Sequence, residues 1–157
     1  MRKILYVILL LCAVPVYGQC QTAQDSTLFD FWIGEWDLTW TNAEGKIDKG
    51  TNHITKILDG KVIQENFSDA EGNFKGISIS VFNPTKKTWH QAWADNQGGY
   101  YDLEGQVEGE KRIFRTQIKE LNGKKILQRM VFYNIKLNSL TWDWEISRDG
   151  GATWQLQ

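Results

Sequence analysis

Three residues at alternate positions, Trp89, Gln91 and Trp93 in "KTWHQAWAD", have the types and spacing to act together on a small molecule. Side chains alternate across an extended strand, so these three share one face and His90, Ala92 and Ala94 the other. Trp142 and Trp144 in "SLTWDWEIS" repeat the arrangement opposite Asp143 and Glu145, and the charged side marks the tryptophan side as inward. Together with Tyr101, these four indoles are expected to wall one cavity, with Gln91 as its polar contact. Such a wall suits a flat or elongated apolar or amphipathic ligand with one hydrogen-bonding group. The alternative is that the same rings fill a small barrel solidly, as core. Arg129 in "QRMVFY" shares a face with Leu127, Val131 and Tyr133. A guanidinium among apolar neighbours wants a carboxylate, a carbonyl or an aromatic plane, and it can also hold a ligand anion.

Catalytic constellations are weaker. Ser78 and Ser80 in "GISISVF" have neither a nucleophile elbow nor a strand-adjacent histidine. Asp143 and Glu145 fall on the expected solvent face, where a carboxylate pair is ordinary surface. The two histidines, His53 and His90, do not stand at coordination spacing, and His90 is out of phase with the tryptophans, so no metal or cofactor is expected. Binding is therefore favoured over catalysis. Two alternatives stay open: an isomerase or hydrolase using Arg129, Tyr101 and a polar cavity residue, and a structural or partner-binding domain without a ligand.

"SRDGGATW", residues 147 to 154, fits SxDxGxTW, a pattern that resembles the Asp-box of sialidases and other propeller proteins. A propeller repeats its blades and their boxes, and this chain has one copy. A structural hairpin is the better expectation. In it Ser147 and Asp149 bond turn amides, Gly150 and Gly151 take positive φ, and Trp154 packs beneath.

The elements that must position these residues follow from nine turn signals: 42 to 46, 58 to 61, 69 to 73, 83 to 87, 95 to 99, 107 to 111, 121 to 125, 137 to 139, and the 147 to 153 hairpin. Asp59-Gly60 and Asn122-Gly123 are the strongest, being suited to type I′ hairpin turns. Nine turns imply about ten strands, and the segments between them alternate with period two. The expected fold is all-β, an antiparallel, mostly up-and-down barrel that closes to remove its edges, with a two-sheet sandwich as alternative. One short helix is expected near residues 26 to 32, where Thr27 and Asp30 form a capping-box pattern ahead of Gly34.

Arg2 and Lys3 precede the apolar run "ILYVILLLCAVPV", and small residues end at Gly18, the organisation of a secretory signal peptide covering residues 1–18. The run is short for a membrane span, so no stable membrane insertion is expected. A domain over residues 19–157 follows, secreted or periplasmic. Gln19 stands where a lipoprotein signal wants a small residue, which argues against acylation of Cys20. Cys20 would be the only thiol left, which excludes an internal disulfide framework. Of 18 Lys and Arg against 19 Asp and Glu, removing Arg2 and Lys3 leaves 16 against 19. That mild acidity argues against nucleic acid as a partner.

"FDFWIGEWDLTW" with the later stretches "NHITKILDGKVIQENFSDAEGNFKGISISVFNPTKKTWHQAWADNQGGYYDLEG" and "RMVFYNIKLNSLTWDWEISRDGGATW" resembles a lipocalin-like, calycin-type family of bacterial secreted proteins of unassigned function. The resemblance covers nearly all of the domain and rests on FWxGxW, here ending in Gly34-Glu35-Trp36, and the terminal SxDGGxTW hairpin. It implies a barrel whose closed end is sealed by Trp36, with Arg129 stacked on that ring. Some haem-binding calycins use a histidine as iron ligand, but here a structural role for His53 and His90 is the expectation. The family pattern continues for a further strand beyond "TW", where this sequence has "QLQ", so either an incompletely closed barrel or a truncated last strand is expected.

Overall fold

The structure, a computed structural model, describes residues 25–157. The expected signal segment and Cys20 lie outside the described residues. All nine turn signals become turns. With a further break at residues 117–118 that no turn signal marks, they separate β1 (Gly34–Thr41), β2 (Ile47–Ile57), β3 (Val62–Asp69), β4 (Lys75–Asn83), β5 (Thr88–Asp95), β6 (Tyr100–Glu108), β7 (Lys111–Thr116), β8 (Lys119–Leu121), β9 (Lys124–Lys136), β10 (Ser139–Ser147) and β11 (Gln155–Leu156). The central residues of the two strongest turns have the positive φ of type I′, 57° and 75° at Asp59 and Gly60 and 50° and 74° at Asn122 and Gly123.

Ten of these strands form one antiparallel order, β1-β2-β3-β4-β5-β6-β7-β9-β10-β11, while β8 pairs only with β9. The sheet curls into a half-barrel whose ends are β1 and β11. The expected barrel is thus all-β and antiparallel, and of the closed and incompletely closed forms the strand order is that of the second. β9 absorbs a bulge at Asn134 (φ 50°), where the pairing with β10 shifts register between Ser139 and Thr141.

One end of the concave face is plugged. Phe29 stacks on Phe114 at 4.1 Å between ring centroids and meets Trp89 edge-on at 5.3 Å, while Trp32 packs on Phe132 at 5.1 Å. Ile54, Ile63 and Leu103 complete this buried cluster. Indole N–H groups tie the N-terminal segment across it: Trp36 Nε1 donates to the Trp32 carbonyl and Trp89 Nε1 to the Asp25 carbonyl, both at 2.9 Å.

The expected helix at 26 to 32 is instead a run of tight turns ending in a single 3-10 turn, Asp30–Trp32. The capping box fails because both of its residues are engaged elsewhere. Thr27 donates from its amide and its hydroxyl to Asp25 Oδ1, at 2.8 and 2.7 Å, and Asp30 pairs with Lys56 of β2 at 2.7 Å. Backbone bonds of the i to i+3 type, such as Trp32 N to Phe29 O at 3.2 Å, are all that remain.

The 147 to 153 hairpin forms as expected. Ser147 Oγ accepts from the Gly151 amide at 2.8 Å, and Asp149 Oδ1 accepts from the Ala152 and Thr153 amides at 3.0 Å each. The Thr153 hydroxyl donates to Asp149 Oδ2 and the Ser147 hydroxyl to Oδ1, and with the Thr153 and Ala152 amides they hold the Asp149 carboxyl well below the usual carboxylate range.

Candidate functional site: the concave face

Register decides which side chains look into the half-barrel, because directly paired residues point to the same side. Trp36 pairs with Asn52, Glu65 with Ser78, Ser80 with Gln91 and Trp93 with Tyr101, and this set is concave. Across the middle of β2 to β5 the inward residues are polar. Asn52 Nδ2 donates to Glu65 Oε1 and Ser78 Oγ to Glu65 Oε2, each at 2.6 Å. Gln91 Nε2 donates to both Ser78 Oγ and Ser80 Oγ at 3.1 Å. The band is buried, with Glu65 4% and Asn52 5% exposed. Burial pushes the Glu65 carboxyl up to about 7, with the bonds from Ser78 and Asn52 pulling the other way. Asn52 Oδ1 is buried and accepts no hydrogen bond. A carbonyl oxygen left that way is costly, and it is a natural acceptor for a ligand donor.

Aromatic rings border the band away from the plug. Phe67 lies between Trp40, Phe74 and Trp93, with centroids 6.2, 5.6 and 6.3 Å away. Trp93 can lie flat against β4 only because residue 76 is glycine: a Cβ there would be 2.1 Å from the indole. The Trp93 N–H donates to Asp95 Oδ2 at 3.0 Å, and that bond, with the Gly99 amide, lowers the Asp95 carboxyl. Across the concavity Tyr101 meets Trp144 edge-on at 5.1 Å.

The four expected wall tryptophans therefore divide. Trp89 is 1% exposed and belongs to the plugged core, Trp93 and Trp144 are half-buried, and Trp142, register partner of Phe132, is 38% exposed at the sheet's end. Gln91 and Tyr101 are concave, as the alternation implies. Arg129 is not brought to them. Its register partners are Glu145 and Arg115, on the convex side, because Met130 and Phe132 of β9 occupy the concave one. Its Nε donates to Glu145 at 2.5 Å, and its guanidinium covers the Trp154 ring at 3.8 Å. The aromatic plane anticipated for Arg129 is thus Trp154 of the hairpin rather than Trp36. Nor are Asp143 and Glu145 bare surface: Asp143 accepts from the Tyr133 hydroxyl at 3.0 Å. Arg129→Ala is expected to cost about 2 kcal/mol, since it strands a partly buried Glu145 and uncovers Trp154. Urea denaturation followed by tryptophan emission measures this.

Glu65, Asn52, Ser78 and Ser80 were not singled out as binding residues by sequence reasoning. A signal for Glu65 exists in "VIQENF", where it alternates with Ile63 and Phe67 and so shares their inward phase. Ser78 and Ser80 carry the opposite signal, because alternation in "GISISVF" makes Ile77 and Ile79 look like the buried set. In the structure the serines are buried and the isoleucines exposed.

Both histidines lie on the convex side, His53 with Nε2 4.0 Å from Glu35 and His90 with Nε2 3.2 Å from the Thr88 hydroxyl. Among the described residues no group of three or more His, Cys, Asp or Glu could hold a metal ion, and no helix is long and apolar enough to cross a membrane. No protein-family model matches the sequence, and no curated protein matches it either.

Proposed function

We propose that the chain is a binding protein for a small amphipathic molecule held on the concave face of the half-barrel. One observation carries the reading: a buried hydrogen-bonding band with an unused acceptor, Asn52 Oδ1, bordered by the half-buried rings of Trp93, Tyr101 and Trp144. Water-shielded polar groups beside aromatic walls orient a ligand and favour its apolar part. The lipocalin-like resemblance and the signal-like N-terminus fit this role and make it that of a secreted or periplasmic carrier. A second reading, proton-transfer catalysis, draws on Glu65, whose carboxyl at about 7 is poised between acid and base at neutral pH.

Titration of the mature protein with the neutral fluorophore Nile red tests binding. Saturable binding by the wild type is expected, weakened about tenfold, or roughly 1.4 kcal/mol, by Trp93→Ala or Trp144→Ala. Both variants should keep most of their stability, because a half-buried ring has fewer packing partners to lose than a core ring. No saturable binding by the wild type overturns the reading.

A further inference from the structure

The concave face is charged unevenly along its length. Its inward positions toward the 42 to 46, 70 to 74 and 96 to 99 turns include three acids, Asp48, Asp69 and Asp95. On β2 to β7 the cations of this face, Lys56 and Arg112, stand toward the plugged end, where Lys56 is paired with Asp30. Glu65 lies between the two groups. Its neighbours on β2, β4 and β5 are Asn52, Ile54, Ser78, Ser80 and Gln91, none of them ionisable, and among the described residues it forms no ion pair. The ionisable groups sharing its face are the three acids, Tyr101, Lys56 and Arg112 on β2 to β7, with Lys119 and Lys124 farther round on β8 and β9.

A carboxyl with no cation, next to a carbonyl oxygen with no donor, behind an acidic mouth, has a specific chemical complement. A ligand hydroxyl would satisfy Asn52 Oδ1 and leave Glu65 as it is. An ammonium brings three donors and a positive charge, so it can donate to Asn52 Oδ1 and to Glu65 together. The rings of Trp93, Tyr101 and Trp144 suit the remainder, since aromatic faces accept both apolar groups and cations.

Resting on the binding function proposed above, we infer that the ligand is a cationic amphiphile, a primary amine on an apolar body, whose ammonium bridges Asn52 Oδ1 and the Glu65 carboxylate. Below neutral pH Glu65 enters the complex by giving its proton to solvent. The neutral acid and the ammonium thus become a carboxylate–ammonium pair plus one released proton. The amine is charged throughout this range, so binding should tighten as pH rises toward 7 and level off above it.

The test is calorimetric titration of the mature protein with decylamine, decanol and decanoate at pH 6 and pH 8, in two buffers of different ionisation enthalpy. Decylamine should bind at least tenfold tighter than decanol, with decanoate weakest. At pH 6 the amine should release close to one proton, and at pH 8 almost none. Glu65→Gln, which keeps the size of the side chain and removes its charge, should abolish the preference for amine over alcohol and the proton release. Decanol or decanoate binding as tightly as decylamine overturns the amine assignment and leaves the binding site standing. An amine preference that survives in Glu65→Gln overturns it as well. Failure of all three probes to bind overturns the binding function itself.

Discussion

Glu65→Gln is expected to stabilise the protein by about 3 kcal/mol at pH 8 and to change little near pH 4. The direction follows from linkage. The Glu65 carboxyl sits at about 7 in the folded chain against 4.5 for the ordinary group, so the folded state holds its proton where the unfolded state has released it. Below 4.5 both states are protonated and the burial penalty is absent. As pH rises through the interval to 7 the unfolded chain gains the free energy of ionisation, and native stability falls by roughly 1.4 kcal/mol per pH unit. Glutamine does not titrate, and its amide N–H can donate to the acceptor on Asn52. Urea midpoints measured from pH 4 to 8 should slope downward for the wild type and be flatter for the variant. Parallel curves would show that Glu65 ionises as freely in the fold as in the unfolded chain. A group that costs stability at neutral pH and is nonetheless held by hydrogen bonds from Asn52 and Ser78 is a feature of sites more often than of scaffolds.

Phe29→Ala is expected to cost 3 to 5 kcal/mol, the largest loss for a single side chain outside the sheet. The ring is fully buried and meets four other aromatic rings, stacked on Phe114, edge-on to Trp89 and Phe132 and tilted to Phe31, at 4.1, 5.3, 6.4 and 6.2 Å. Its removal leaves a hole that rigid indole and phenyl neighbours fill poorly, so the cavity cost adds to the lost transfer energy. The denaturation midpoint should fall without a change in the slope of the unfolding transition. A loss below about 1 kcal/mol would mean that the N-terminal segment rests on the sheet without being part of its core.

Much of the fold was legible because turn chemistry and period-two alternation are local. Asp59-Gly60 and Asn122-Gly123 fixed their hairpins, and Asp143 and Glu145 fixed the inward side of β10 by being unfit for a core. The phase of Trp89, Gln91 and Trp93 was also read correctly, yet their depth was not. Alternation reports the side of a sheet and says nothing of height along it, and height separates Trp89 in the plug from Trp93 near the mouth. Arg129 was misplaced for a related reason. Its companions Leu127 and Val131 are buried, but on the convex face, so apolar company did not identify the concavity. The polar band was hidden by β4, whose apolar residues face out. What turns Ser78 and Ser80 inward is non-local: Phe82 meets Trp89 at 5.8 Å on one side of them, and Gly76 takes the indole of Trp93 on the other. The failure of the helix near residue 30 had a non-local source as well, the ion pair with Lys56.

The plug described above also orders events in time. Nearly every pairing in the sheet joins consecutive strands, so the hairpins close short loops and can zip in sequence, β7 with β9 being the one skip. Phe29 and Trp32 instead wait for Phe114 and Phe132, contributed by strands from the far half of the chain. Their loop-closure entropy falls due only after the sheet has curled enough to bring β7 and β9 around. Docking of the N-terminal segment is therefore a late event in folding and an early loss in unfolding, and the stability stored there acts as a latch: it governs how long the native chain survives more than how quickly it forms.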